Sequence, residues 1–312
     1  MTTSDDQKKV TPLRRELISG FSSGILTILI THPLDLVKVR LQLSKDANAT
    51  YRSIIKNTFS LPIDKNVSAV IRSRAQSMYK GLSINLIGNS YSWGLYFFLY
   101  RLYKDQLSGL NTSHLTTFQR DKQMNGMHYM LAAWSAGFTT TLLTNPIWVL
   151  KTRTMSPNIS SAESSHRSIS KLATHIYKTE GLSAFFRGLL PSVIGVSQGA
   201  VYFSIYDTLR VKFLNQADGS EKPITPYESI SITSTAKMIS TLLLYPIQTI
   251  KTNMQDYGME KRGVIETVVN IYRRNHGGLR NLYRGIGANL ARSLPATCIT
   301  FYTYETVKRS LP

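Results

Sequence analysis

The chain has 312 residues, of which 37 are Lys or Arg and 18 are Asp or Glu, for a formal net charge of +19. That excess calls for an anionic partner, but the basic residues are spread along the whole chain and no zinc-finger or RNA-recognition signature accompanies them, which argues against nucleic acid and leaves a membrane surface or an anionic solute. The single cysteine, Cys298, excludes an intrachain disulfide, and its apolar neighbours in sequence predict a core residue.

Mean hydropathy is slightly negative, −0.11. This average conceals six moderately apolar segments of about membrane-crossing length, separated by polar loops. Residues 1–15 carry Asp5 and Asp6 without an apolar run, and read as neither a secretory signal nor an acid-poor transit peptide. The first crossing is expected over 13–43, where Gly20 and Gly24 have the spacing of a close helix contact. Its end carries Pro33, Asp35, Lys38 and Arg40. Proline removes a backbone donor and kinks a helix, and ionisable groups at that depth are costly unless they pair or act. A polar loop follows, then a second crossing over 81–104 and a connector to residue 124. The third crossing, 126–155, repeats the first with Pro146, Trp148 and Lys151. A Ser-rich loop leads to an amphipathic helix over 169–178. The fourth crossing is expected over 189–213, and the fifth over 226–255 with Pro246, Gln248 and Lys251. A second loop helix, 264–274, precedes the sixth crossing over 286–308.

Three landmark series share one beat of about a hundred residues, the signature of three copies of one unit. They are Pro33, Pro146 and Pro246; Lys80-Gly81, Arg187-Gly188 and Arg284-Gly285; and Tyr100, Tyr206 and Tyr304, each leading charged residues. The copies are placed at 13–107, 125–213 and 226–310. Asn48, Asn66, Asn111 and Asn158 each open a glycosylation-type triplet, a pattern that arises often by chance. Gly195-Val-Ser-Gln-Gly199 fits the nucleophile elbow of hydrolases, which works only between a strand and a helix. Here it falls in a helical apolar segment and the sole later histidine, His276, lies in a polar loop, so close helix packing is the expectation and no catalytic residue is assigned. The histidines show no metal-ligand spacing.

Two cations remain at mid-membrane depth. Lys237 lies about 13 Å along a helix from Pro246, near the centre of a roughly 30 Å core, and Arg292 lies about two turns into the sixth crossing. Neither has an acid within a helical turn, so both are expected to face a solute.

The triplicated Pro-x-x-x-x-Lys pattern, with the acid of a Pro-x-acid-x-x-Lys motif kept in the first copy and each copy followed by an aromatic-Lys/Arg-Gly step, resembles the mitochondrial carrier family over nearly the whole chain. The resemblance implies an all-α membrane protein of six transmembrane helices in three pseudo-threefold repeats, with short amphipathic matrix helices. It implies a monomeric, multi-pass inner-membrane transporter surrounded by membrane lipid, cardiolipin included, with both termini on the intermembrane-space side. The basic loops after the odd crossings would then face the matrix, as the positive-inside tendency suggests.

Substrate contacts implied by the family lie on the even crossings, at Gly88 and Asn89, at Ile194 and Gly195, and at Arg292, with Ser92, Tyr96, Gln198 and Tyr202 on the same faces. Trp148 stands where repeat 2 should carry its acid. Together with Asn85 to Asn89, Gly195 to Ala200 and Pro295 to Phe301, it resembles the branch that carries FAD, folate, NAD and pyrimidine nucleotides, and most of all its FAD-carrying members. No cofactor is implied; FAD would be cargo, its pyrophosphate on Lys237 and Arg292 and its rings among Trp93, Tyr96 and Tyr202. At the matrix gate the family pattern pairs Asp35 with Lys151, and sets Lys251 against Trp148 and Lys38 against Gln248. At the cytoplasmic gate it pairs Asp207 with Lys308 and Glu305 with Lys104, and sets Arg101 against Arg210.

Overall fold

A computed structural model describes residues 12–44, 46, 50–59, 75–108, 126–158, 168–214, 226–257, 263–274 and 277–310. The triplets at Asn48, Asn66 and Asn111, and His276, lie outside them. In chain order the helices are α1 (Pro12–Leu43), α2 (Tyr51–Phe59), α3 (Leu82–Ser108), α4 (Gly126–Met155), α5 (Ile169–Glu180), α6 (Leu189–Val196), α7 (Gln198–Leu214), α8 (Pro226–Gln255), α9 (Val264–Arg273) and α10 (Ile286–Ser310). Short 3₁₀ turns at Leu182–Phe186 and Gly278–Tyr283 precede α6 and α10. No strand occurs among the described residues.

The long helices close a ring. Within repeats α1 meets α3, α4 meets α6 and α8 meets α10; between repeats α3 packs on α4, α7 on α8 and α10 on α1. At one end α1, α4 and α8 also meet one another. The apolar clusters lie at that end. Leu36, Val39 and Leu43 pack with Met155; Val37, Leu41, Ile54 and Ala288 join α1, α2 and α10; and Ile84, Leu150, Leu172, Ile176 and Phe185 join α3, α4 and α5.

Each helix containing a proline continues through it, at Pro33, Pro146 and Pro246. The residue just before each proline holds the following basic-Gly step. His32 Nε2 lies 3.1 Å from the Lys80 carbonyl, Asn145 Nδ2 donates to that of Arg187 at 3.2 Å, and the Tyr245 hydroxyl to that of Arg284 at 2.9 Å. At Gly188 and Gly285 the backbone is left-handed, with φ of 70° and 84°, which suits glycine. A Cβ there would also stand 3.1 Å from the Lys251 and Lys38 carbonyl oxygens respectively, so each repeat docks its glycine on the next repeat's odd helix.

Three expectations change. The fourth crossing is not one helix: it breaks at Ser197, whose N–H bonds back to Gly195 and Ile194. A Cβ at Gly20, Gly24, Gly195 or Gly199 would meet nothing within 4 Å, so none of them serves close packing, whereas one at Gly137 would lie 2.6 Å from Val196. Cys298 is exposed, because α10 turns that face away from its neighbours. Of the long helical segments, Ile18–Leu43, Leu182–Lys212 and Glu228–Gln255 are apolar enough to cross a membrane by length and composition. Helices α3, α4 and α10 carry polar stripes, among them Asn85 and Asn89, Thr140 and Thr144, and Asn289 and Ser293, which lower their average hydropathy. A helix lining a polar cavity needs only one lipid-facing stripe. Large exposed side chains such as Phe21, Phe97, Phe98, Trp134 and Leu243 supply it.

Candidate functional site

A central cavity of about 660 Å³ draws its walls from α1, α3, α4, the broken α6–α7 pair, α8 and α10. Its charged lining is Asp35, Lys38, Lys151, Lys251 and Arg292, one acid against four bases. Crowding that many cations around one carboxylate leaves a field that attracts anions, and the surrounding low-dielectric walls focus it.

The floor is built from the helix ends that follow the prolines. Asp35 is buried, and its Oδ2 accepts from Lys151 Nζ at 2.7 Å. Its other oxygen faces Arg292 Nε at 3.8 Å, an acid partner on the neighbouring α1 that no spacing within α10 could reveal. Lys38 Nζ donates to Gln248 Oε1 at 3.3 Å, and Gln248 passes the connection on by donating to Gln198 Oε1 at 3.1 Å. The Trp148 ring lies beneath two ammonium groups, 5.3 Å from Lys151 Nζ and 5.9 Å from Lys251 Nζ. Such contacts are each worth about 0.5–2 kcal/mol. Beneath this floor Gln42 donates to Tyr245 and Thr249 at 3.1 and 3.3 Å, tying α1 to α8.

Among the remaining residues singled out from sequence, Asn89, Gly195 and Gln198 line the central cavity. Asn89 is turned back, donating to the Asn85 carbonyl and side-chain oxygens at 2.8 and 3.0 Å. Gly88 does not face the cavity: it is buried against Ile147 and Trp148, which a Cβ would meet at 3.0 and 3.7 Å. Ile194 is 44% exposed and outside the cavity lining. Ser92 and Tyr96 also lie outside it; Tyr96 stacks on Tyr100 with centroids 6.1 Å apart, while Trp93, one turn above Asn89, reaches in. Tyr202 and Lys237 line a second, smaller cavity, with Lys237 Nζ 5.7 Å above the Tyr202 ring. Lys237, on α8, and Arg292, on α10, thus line different cavities. Sequence reasoning missed the Asp35–Arg292 and Gln248–Gln198 contacts, and nothing local signals either.

At the opposite end the expected pairs of Asp207 with Lys308 and Glu305 with Lys104 are not formed in this conformation. Because α10 packs most extensively on α1, Lys308 Nζ meets Glu16 at 2.6 Å, and Tyr304 also donates to Glu16. Glu305 turns to Arg309, one turn along its own helix, at 3.6 Å. Arg101 does likewise with Asp105 at 3.9 Å, while Asp207 and Arg210 are exposed. Exposed pairs of this kind contribute little, because water screens them and two long side chains must be ordered to hold each one.

Glu180 on α5 joins Arg153, which is fully buried, and the half-buried Arg187. Burial alone would raise the Glu180 carboxyl, but the two guanidinium groups outweigh it and hold the group below the usual carboxylate range.

Comparison with known proteins agrees with this architecture. The profile of the family described as mitochondrial carrier protein matches residues 9–111, 122–217 and 222–312. The chain is 39% identical over 317 residues to the mitochondrial FAD carrier protein FLX1 of Saccharomyces cerevisiae, covering 96% of this chain and 98% of that protein. It is 29% identical to the mitochondrial nicotinamide adenine dinucleotide transporter 2 of Arabidopsis thaliana, covering 97% and 81%. It is also 29% identical to human solute carrier family 25 member 33, covering 98% and 97%.

Proposed function

Because the chain belongs to the mitochondrial carrier family, we propose that it moves FAD, or a related flavin nucleotide, across the mitochondrial inner membrane by alternating access. The observation that carries this reading is the central cavity, with four cations and one acid on its walls and the Trp93 and Trp148 rings beside them. A dinucleotide offers such a site charged phosphates for the cations and flat rings for the indoles. The similarity to a yeast FAD carrier over nearly both full lengths favours flavin. The NAD transporters among the relatives support NAD as the second reading, with pyrimidine nucleotides and folate behind it.

In this account the three repeats, 13–107, 125–213 and 226–310, act about a shared site. Asp35, Lys38, Lys151, Gln248 and Lys251 form the matrix gate, closed in this conformation. Lys104, Asp207, Arg210, Glu305 and Lys308 form the cytoplasmic gate, whose cross-ring pairs assemble in the alternate state. Both termini then lie on the intermembrane-space side of a monomer held in inner-membrane lipid. Arg292 and Lys237 take the pyrophosphate between them, while Asn89, Gly195, Gln198 and Tyr202 border its path and Trp148 stacks on a ring. A phosphate arriving at Arg292 competes with Asp35 for the same guanidinium, so loading weakens the gate. A transporter needs its two closed forms within a few kcal/mol of each other, which a single direct lysine–aspartate pair suits.

The test is uptake by proteoliposomes holding the purified protein, offered labelled FAD, FMN, NAD, folate and pyrimidine nucleotides in turn. Saturable FAD uptake supports the reading. Uptake of NAD or a pyrimidine nucleotide with none of either flavin nucleotide overturns it.

A further inference from the structure

The second cavity, of about 310 Å³, lies between α7, α8 and α10. Its walls hold one cation, Lys237, one ring, Tyr202, no carboxylate, and five aliphatic hydroxyls. The central cavity uses the same three helices: Tyr202 stands one helical turn beyond Gln198, and Ser293 directly follows Arg292.

The hydrogen bonding of these walls selects a ligand. Ser293 spends its proton on the Asn289 carbonyl at 2.8 Å and Thr297 on the Ser293 carbonyl at 3.2 Å. Thr233 spends its own on the Ser229 carbonyl at 2.7 Å and also meets the Tyr202 hydroxyl. Hydroxyls committed in this way have only lone pairs left, so they call for a ligand that donates. Lys237 is the opposite case. Its ammonium has three donors, and among the described residues it meets no carboxylate, only the face of the Tyr202 ring. The complement of Lys237 and these three hydroxyls is therefore one compact group that carries an anion and O–H donors. Since water fills about 30 Å³ per molecule in the liquid, the space displaces on the order of ten waters, enough for a phosphorylated five-carbon polyol.

We propose that this side cavity is the subsite for the phosphorylated pentose or pentitol arm of the transported solute. Lys237 holds the phosphate, and Ser293 and Thr297 accept hydrogen bonds from the sugar hydroxyls. The assignment rests on the reading of the protein as a nucleotide carrier, but not on flavin as its base, because a 5′-phosphorylated five-carbon chain is common to flavin, nicotinamide, adenine and pyrimidine nucleotides.

The experiment measures thermal stabilisation of the purified carrier by AMP and FMN, against adenosine, riboflavin and inorganic pyrophosphate, converting each shift to an apparent Kd by mass action. In the wild type the two monophosphates bind more tightly than their unphosphorylated partners. Lys237→Met weakens AMP and FMN by about tenfold and leaves adenosine and riboflavin unchanged, and Lys237→Arg restores much of the loss. Ser293→Ala combined with Thr297→Val weakens the monophosphates by about three- to tenfold but not pyrophosphate, which has no sugar to recognise. The proposal is overturned if neither monophosphate stabilises the wild type, if Lys237→Met weakens nucleoside and nucleotide equally, or if the hydroxyl variant weakens pyrophosphate as much as AMP. Should AMP behave as stated while FMN fails to bind, the subsite stands and the flavin reading falls.

Discussion

Replacing Asp35 with lysine turns the one acid of the cavity floor into a fifth cation. At an effective dielectric constant of about 20, the contact between Asp35 and Lys151 at 2.7 Å corresponds to roughly 6 kcal/mol of gross attraction, and that with Arg292 at 3.8 Å to roughly 4 kcal/mol. The net values are smaller because desolvation opposes both, but breaking a buried pair from one side still costs about 3–5 kcal/mol. Asp35→Lys should therefore abolish uptake and lower the thermal midpoint of the folded carrier. Adding Lys151→Asp recreates one direct pair with its polarity reversed. The rescue should be partial, since Arg292 then faces an ammonium at position 35 where it faced a carboxylate. A further Arg292→Gln should raise the thermal midpoint of the double variant by removing that repulsion, although uptake falls with the loss of a substrate-holding cation. Uptake is read in proteoliposomes and insertion is checked by protease protection. A double variant no better than Asp35→Lys alone, in protein shown to be folded and inserted, refutes the direct coupling.

Trp148→Leu removes the face shared by Lys151 and Lys251 and should lower the thermal midpoint by a few degrees while slowing uptake; unchanged values for both would make the ring a bystander. Gly188→Ala should destabilise by more than about 1 kcal/mol, since the new methyl meets both a left-handed backbone and the Lys251 carbonyl, whereas Gly195→Ala should leave stability nearly unchanged. Thermal unfolding of the pair tests the contrast, and equal losses would contradict it. The Glu180 carboxyl titrates lower in the folded protein than in the unfolded chain, so its clamp on Arg153 and Arg187 contributes fully above about pH 4.3 and is lost as pH falls through the depressed folded value. Glu180→Gln should lower stability at neutral pH and flatten this acid limb, as measured by thermal unfolding from pH 7 downward; an unchanged acid limb would place the titration elsewhere.

The repeated unit, the long helices and the proline-marked turns that end the odd crossings were legible in the sequence, because each is written in residues close together along the chain. Apolar periodicity, a missing backbone donor and a glycine suited to positive φ act within a few residues, and three copies of each made the pattern hard to mistake. What local pattern could not settle was which face each helix presents. Gly88 and Asn89 are neighbours, yet one is pressed against Trp148 and the other lines the cavity. The fourth crossing breaks at Ser197, inside a stretch whose composition also suits one continuous helix. The residues before the three prolines do one job with His, Asn and Tyr, so no shared letter announces it. Lys38 reaches Gln248 across 210 residues of chain, and Asp35 gathers cations from both α4 and α10. Such contacts depend on how the ring closes, which is decided by the packing of whole helix faces against one another.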